Sequence, residues 1–108
     1  MQLPNWREAI VVDLAAVLIG LVVNPIVPIY RDAEVGLILA DCRARAVFAP
    51  EAFRGLDFVA MLERLKPGLP DLAYVVFVRN DEARAGDFAA LLAEGRNLNV
   101  PWPRVLPE

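Results

Sequence analysis

The stretch LPNWREAIVVDLAAVLIGLVVNPIVPIY, residues 3–30, decides the fold class of this 108-residue chain. Its first half is almost entirely apolar and carries end signals typical of a helix. Asn5 can cap the helix with its side-chain oxygen, and Glu8 stands three residues later, as in a capping box. Gly20 suits the left-handed position that follows a helix. We therefore predict a helix over residues 6–19.

Strands and helices alternate along the rest of the chain. Residues 21–23 are aliphatic and predict a short buried strand, which ends before Pro25 because proline has no amide hydrogen for a ladder. Apolar runs predict two further strands, and apolar positions three or four residues apart predict the later helices. The predicted strands cover 46–49 and 73–78. The predicted helices cover 32–43 and 87–94, and between them Asp57 caps a third helix with Phe58, Met61, Leu62 and Leu65 on one face. This order predicts a three-layer α/β fold, with about three parallel strands between helices.

The chain is long enough for one core. With 57% hydrophobic residues among 108, it suits a single domain, and we assign residues 1–96 to a partial domain. Residues 97–108 contain Pro101, Pro103 and Pro107 and predict an extended connector. A sheet of three strands leaves its edges bare, so exposed edges and apolar patches are expected if the chain is alone.

Composition excludes several classes of function. The formal net charge of −3 and the scattered arginines argue against nucleic acid as a partner. The chain has no Ser, Thr or His, so hydrolase triads and histidine acid–base catalysis are unavailable. The single lysine, Lys66, precedes Pro67 and Gly68 at a predicted helix end. With one cysteine, Cys42, no internal disulfide forms, which fits a reducing cytoplasm.

A membrane segment is a weaker interpretation of residues 14–30, which carry no charge. A spanning helix needs about 20 apolar residues. Asp13 bounds this stretch on one side, and Asn24, Pro25 and Pro28 interrupt it on the other. We therefore expect no membrane anchor.

The ordered set of short motifs resembles the N-terminal domain of AMP-forming acyl-CoA synthetases, in the adenylate-forming ligase superfamily. The motifs are LPNW (3–6), LVVNPIVPIY (21–30), RDAE (31–34), LAD (39–41), VFAP (47–50) and FRGLDF (53–58). The similarity is greatest to cyclohexanecarboxylate and fatty-acid CoA ligases. It implies a flavodoxin-like parallel sheet and a place in fatty acid metabolism.

The resemblance also implies a chemistry. Members of this superfamily activate a carboxylate with ATP and magnesium to an acyl-adenylate, and then transfer the acyl group to CoA. Their ATP-binding loop is rich in Ser, Thr and Gly, and they carry a catalytic lysine near the C-terminus. Neither feature stands in these 108 residues, where the six glycines occur singly. We expect this chain to contain no bound cofactor and no metal site of its own.

The resemblance places four candidate cofactor-binding residues. Pro28, Ile29 and Tyr30 align with a loop along the tunnel for the pantetheine arm of CoA. Arg54 aligns with a position that can meet the nucleotide phosphates of CoA. The alternatives are structural: Arg54 is a solvated arginine or pairs with Asp57, and Tyr30 packs its ring in the core.

Other residues are best explained by packing. Asn5 is interpreted as a helix cap and Trp6 as an apolar anchor. Cys42 follows the apolar positions of the second helix, which favours a small core residue over a reactive thiol. Asp13 is flanked by apolar residues, so we expect it to be buried with a partner such as Arg43 or Arg45.

Three hypotheses of function follow. The first is a part of an AMP-forming acid–CoA ligase, inactive by itself, whose partner is the rest of the ligase chain. The second is a stand-alone interaction or dimerisation module without catalysis, which forms a homo-oligomer through exposed apolar faces. The third is a small membrane-associated protein.

Overall fold

The predicted alternation of strands and helices is present in the structure, a computed structural model that describes residues 1–80, 86–99 and 101. The elements are α1 (Arg7–Leu18), α2 (Asp32–Asp41), β1 (Ala46–Pro50), β2 (Ala52–Phe53), β3 (Leu56–Asp57), α3 (Phe58–Leu65), a 3₁₀ turn (Lys66–Gly68), β4 (Tyr74–Val78) and α4 (Phe88–Asn97). The α/β class is thereby confirmed.

The sheet consists of β1 and β4, which pair in parallel. The register runs from Ala46 opposite Tyr74 to Pro50 opposite Val78. The chain returns from the end of β1 to the start of β4 through the antiparallel hairpin β2–β3 and through α3. Within the described residues this sheet has two parallel strands, one fewer than the three expected.

The missing strand is the one predicted for residues 21–23. The amide of Leu21 donates to the carbonyl of Ala16 at 2.9 Å, so the end of α1 holds the first of these residues. Val22 is 98% exposed, and no strand among the described residues pairs with this segment. Aliphatic composition predicted a strand here, but a strand also needs a neighbour, which local sequence does not reveal.

The main core lies between the sheet and the helices α2 and α3. Phe58, Met61 and Leu62 form the buried face of α3, as their spacing predicted. The carboxylate of Asp57 accepts a hydrogen bond from the amide of Ala60 at 2.9 Å, which confirms the predicted cap. The buried partners are Ile26, Val35, Leu39, Val47, Ala49, Leu69, Leu72 and Phe77.

The start of α1 differs from the prediction. Trp6, not Asn5, occupies the cap position, and no side chain caps this end of the helix. Glu8 does not complete a capping box with Asn5; its carboxylate binds Arg79, 71 residues away. Gly20 does adopt the expected left-handed backbone, with a φ of +76°. The capping pattern was therefore correct at one end of α1 only.

Two residues expected in the interior are exposed. Cys42 is the cap residue at the end of α2, where its side chain borders an open cleft, and its thiol lies 3.8 Å from the carbonyl oxygen of Leu39. Asp13 lies on an exposed side of α1 and needs no buried partner. The predictions of burial for Cys42 and Asp13 were therefore wrong.

Helix α1 is apolar on nearly all sides, yet only Glu8 and Val12 are buried. Six large aliphatic side chains are exposed on α1 or at its end: Ile10, Val11, Leu14, Val17, Leu18 and Ile19. Such a helix is usually enclosed by other polypeptide. The expected exposed apolar surface is thus present and is concentrated on α1.

The C-terminal helix ends later than predicted, at Asn97 rather than Glu94. Most of the predicted connector, residues 102–108, lies outside the described residues, and the division between residues 1–96 and 97–108 stays a prediction. In the part of the chain that the structure describes, no helix has the length and apolar character needed to cross a bilayer.

Candidate functional site

A cleft of about 860 Å³ opens where three segments that are distant in sequence meet. They are residues 3–6 before α1, the loop 25–31 before α2, and the hairpin residues 53–56. The lining side chains are mostly apolar, with two arginines among them. They are Leu3, Pro4, Asn5, Trp6, Pro25, Ile26, Val27, Pro28, Ile29, Arg31, Phe53, Arg54 and Leu56.

A single buried side chain holds the loop that lines this cleft. The side-chain nitrogen Nε2 of Gln2 donates to the carbonyl oxygens of Val27 at 3.2 Å and Tyr30 at 3.1 Å. The backbone amide of Gln2 donates to the carbonyl of Phe48 in β1 at 2.8 Å. Gln2 is fully buried, so it connects the loop firmly to the sheet.

The two arginines of the cleft have different roles. Arg31 donates to the carbonyl oxygens of Pro28 at 2.9 Å and Tyr30 at 2.7 Å, so its guanidinium is committed to the loop. Arg54 is exposed, and its guanidinium lies over the ring of Phe53, 5.3 Å from the centroid. Arg54 therefore presents its positive charge at the mouth of the cleft.

Two aromatic rings form one wall of the cleft. Trp6 and Phe53 meet edge to face, with centroids 5.7 Å apart. The guanidinium of Arg79 lies 4.2 Å from the centroid of the Trp6 ring. Arg79 also lowers the pKa of the Glu8 carboxyl from its ordinary value, because it donates two hydrogen bonds to the carboxylate.

The structure brings together three of the four predicted site residues. Pro28, Ile29 and Arg54 line the cleft. Tyr30 belongs to the same loop but is not among the lining residues, and its side chain is exposed, which argues against the alternative of a core position. Of the two alternatives for Arg54, the pair with Asp57 does not form, because Arg54 packs on Phe53 and Asp57 caps α3, whereas the exposure of Arg54 fits a solvated arginine.

Sequence reasoning missed the aromatic wall and its support. Trp6 was interpreted as an apolar anchor, and Phe53 and Arg79 were given no role. A tryptophan before a helix and an arginine after a strand carry no signal of their mutual contact, because 72 positions separate them. Gln2 offered one signal, since it is the chain's only glutamine and stands before an apolar stretch.

A second cleft of about 350 Å³ lies beside the first residues of β1. Its walls come from α1, residues 21–26 and the end of α2, and they are largely apolar. Among residues 1–80, 86–99 and 101, no group of three acidic, histidine or cysteine side chains is placed to hold a metal ion.

Comparison with known proteins defines the class to which this fold and cleft belong. The sequence profile of the AMP-binding enzyme family matches residues 1–103. The chain is a member of the AMP-binding enzyme family, as the resemblance of its motifs predicted.

Two curated relatives match most of this chain. A medium-chain fatty-acid–CoA ligase of Escherichia coli (strain K12) is 39% identical over 77 residues, which are 71% of this chain. A 2-hydroxy-7-methoxy-5-methyl-1-naphthoate–CoA ligase of Streptomyces carzinostaticus is 28% identical over 81 residues, which are 75% of this chain. In both cases the match covers 14% of the relative, so the chain spans about one seventh of their length.

Proposed function

We propose that this chain forms part of an AMP-forming acid–CoA ligase. Such an enzyme joins a carboxylic acid to ATP, releases pyrophosphate, and then passes the acyl group from the adenylate to the thiol of CoA. Family membership over residues 1–103 supports this proposal, as do two relatives whose names both state ligation to CoA. The names of the two relatives state different acids but the same acyl acceptor, CoA.

The observation that carries the proposal is the meeting of Pro28, Ile29 and Arg54 at one cleft. An apolar cleft with the exposed guanidinium of Arg54 at its mouth matches the chemistry of CoA. The pantetheine arm is largely uncharged, whereas the nucleotide end carries phosphates that a guanidinium binds well. In this proposal Arg54 contacts phosphate, and Pro28 and Ile29 bound the path of the arm, with Tyr30 at its outer end.

We further propose that the 108 residues contribute binding surface rather than the activating groups. Phosphoryl chemistry needs glycine-rich backbone, hydroxyl side chains and a lysine near the phosphates. This sequence has no Ser or Thr, and its one lysine, Lys66, lies in an exposed turn after α3. The remainder of a ligase chain would supply those groups, and a cytoplasmic location fits such a partner.

Calorimetric titration with CoA tests the role of the cleft. We expect the chain to bind CoA and the variant Arg54→Met to bind it about tenfold less tightly, because one charge-assisted hydrogen bond is lost. Pantetheine, which lacks the phosphates, should bind both proteins equally. Arg96→Met, which removes an exposed arginine in the last turn of α4, is the matched control and should leave affinity unchanged.

An activity assay tests the rest of the proposal. Pyrophosphate exchange into ATP should be absent for the isolated chain with medium-chain fatty acids, aromatic acids and acetate. Turnover by the pure chain would contradict a purely binding role. Failure of the chain to bind CoA, together with equal behaviour of the Arg54 and Arg96 variants, would contradict the assignment of the cleft.

The exposed apolar side of α1 favours a second candidate function, a homo-oligomeric interaction module without catalysis. Leu14 is 58% exposed and Ile10 is 63% exposed on a helix of twelve residues. Large exposed apolar patches mark interaction surfaces. Sedimentation across a concentration series should then show self-association that Leu14→Glu abolishes. Leu37→Glu, at an exposed leucine of α2, is the control; a chain that stays monomeric would contradict this candidate.

A further inference from the structure

Arg79, the residue directly after β4, makes close contacts with two side chains of α1 and its cap to which the proposed function gives no role. The Nε and Nη2 atoms of Arg79 donate to the two carboxylate oxygens of Glu8 at 3.0 and 2.9 Å. Glu8 is only 8% exposed, so the pair is partly shielded from water. The two parallel hydrogen bonds fix the plane of the guanidinium as well as its position.

The same guanidinium lies over the ring of Trp6, 4.2 Å from the centroid. A planar cation at this distance attracts the face of an indole and covers it. Arg79 therefore joins two elements, β4 and α1: it directly follows β4, binds a carboxylate in the first turn of α1, and packs on Trp6, the cap residue of α1. Trp6 in turn meets Phe53 edge to face and lines the cleft.

The backbone of Arg79 supports a specific role. Its φ is +56°, in the left-handed region that residues with a Cβ adopt at a cost. A glycine would meet this backbone demand without strain. The arginine brings a side chain that spans from the sheet to Glu8 and Trp6, which a glycine cannot provide.

We propose that Arg79 is a positioning residue for the cleft: held by Glu8, it fixes the indole of Trp6 as a rigid wall for the bound ligand. This inference rests on the proposed function, because CoA is the ligand that the wall would contact. Arg79 acts through Trp6 and does not itself touch the ligand. A simpler role, tying β4 to α1 for stability alone, makes different predictions.

Fluorescence of Trp6 distinguishes the two roles without any ligand. The chain has a second tryptophan, Trp102, so all proteins carry Trp102→Phe. In Arg79→Met we expect the emission of Trp6 to move several nanometres to the red and its quenching by acrylamide to rise about twofold, because the indole loses its cover. Arg79→Lys should lie between, since an ammonium keeps the charge but loses the flat fork.

The matched control is Arg64→Met. Arg64 forms the same kind of two-bond pair, with Asp32 at 2.9 and 3.0 Å, and it joins α2 to α3 away from Trp6. It should lower stability without changing the emission or quenching of Trp6. If Arg79→Met proves too unstable to purify, Glu8→Gln weakens the same support and should produce the same change in Trp6.

Titration with CoA then links the wall to binding. Arg79→Met should weaken CoA about three- to tenfold, as expected for a contact surface that has lost its order, and Arg64→Met should not. Arg54→Met should weaken CoA while leaving Trp6 emission unchanged. Unaltered emission and quenching in Arg79→Met, or an unaltered affinity beside a wild-type chain that binds CoA, would overturn the inference. Failure of the wild-type chain to bind CoA would contradict the assignment of the cleft to CoA, while the Trp6 measurements still decide whether Arg79 holds the wall.

Discussion

The side-chain nitrogen Nε2 of Gln2 lies 3.1 Å from the carbonyl oxygen of Tyr30, and the same nitrogen donates to the carbonyl oxygen of Val27 at 3.2 Å. One fully buried side chain thus sets the position of a loop that lines the cleft. The loop has further support, because Arg31 also donates to the Tyr30 carbonyl. These contacts make the loop part of the folded framework.

Substitution of Gln2 should therefore destabilise the chain in a graded way. Gln2→Met removes the donor but leaves the two carbonyls their other partners, so we expect a loss of about 1 kcal/mol. Gln2→Glu places a carboxylate beside two carbonyl oxygens and should cost about 2 to 3 kcal/mol at neutral pH. Urea unfolding of both variants measures this. Equal stability of the two would contradict the proposed geometry.

The Glu8–Arg79 pair predicts a pH dependence of stability. The hydrogen bonds from Arg79 hold the pKa of Glu8 below its ordinary value of 4.5 in the folded state. The stability that this pair contributes is present above that value and is lost as the pH falls through the lowered pKa. Unfolding between pH 7 and 3 should show a smaller decline in Glu8→Gln than in the wild-type chain.

Some decline should remain in Glu8→Gln, since Arg64 also lowers the pKa of Asp32. Asp32→Asn in the same background should reduce it further. Identical pH profiles for Glu8→Gln and the wild-type chain would show that Glu8 titrates alike in the folded and unfolded states.

Two glycines predict opposite effects of the same substitution. Gly20 has a φ of +76° after α1, so Gly20→Ala should destabilise the chain by about 1 kcal/mol. Gly95 lies inside α4, where an added Cβ meets open space, so Gly95→Ala should stabilise by about 0.5 to 1 kcal/mol. Thermal unfolding of the pair checks both signs, and a shift in the same direction would contradict the backbone assignment.

The cap of α3 gives a prediction that depends on one hydrogen bond. Asp57→Ala removes the acceptor for the amide of Ala60 and should cost about 1 kcal/mol. Asp57→Asn keeps a side-chain oxygen at the cap and should cost less than half as much. Chemical denaturation compares the variants, and equal losses would show that the charge rather than the cap matters.

Local signals in the sequence predicted the elements whose partners are local. Helix α3 was predicted correctly because Asp57 directly precedes it and caps the amide of Ala60, three residues later, and because its buried residues repeat at helical spacing. Strands β1 and β4 were predicted correctly because they are short apolar runs, and most of their residues are buried or half-buried. The AMP-binding family was also recognisable, because its motifs occur in order along the chain.

The failures concern partners that are distant in sequence. The segment 21–23, predicted as a strand, has no neighbouring strand in the part of the chain that the structure describes, and Glu8 binds an arginine 71 positions away instead of completing a capping box. Cys42 keeps a helical hydrogen bond to Ile38, but it is exposed because its side chain borders the second cleft rather than a packed element. The cleft itself joins three separate segments, so the resemblance indicated some of its residues, and only the fold shows that they meet.

Helix α1 has a further consequence for how the molecule opens. Only Glu8 and Val12 of its twelve residues are buried, whereas α3 contributes three residues of eight to the main core. Segments with so little buried surface detach at a lower free energy than the global transition, and their amides exchange with solvent deuterium through that partial opening. Because Trp6 precedes α1 directly, detachment of the helix would dismantle the aromatic side of the cleft. The cleft would thus lose its shape in a partial opening that leaves β1, β4 and the helices packed on them intact.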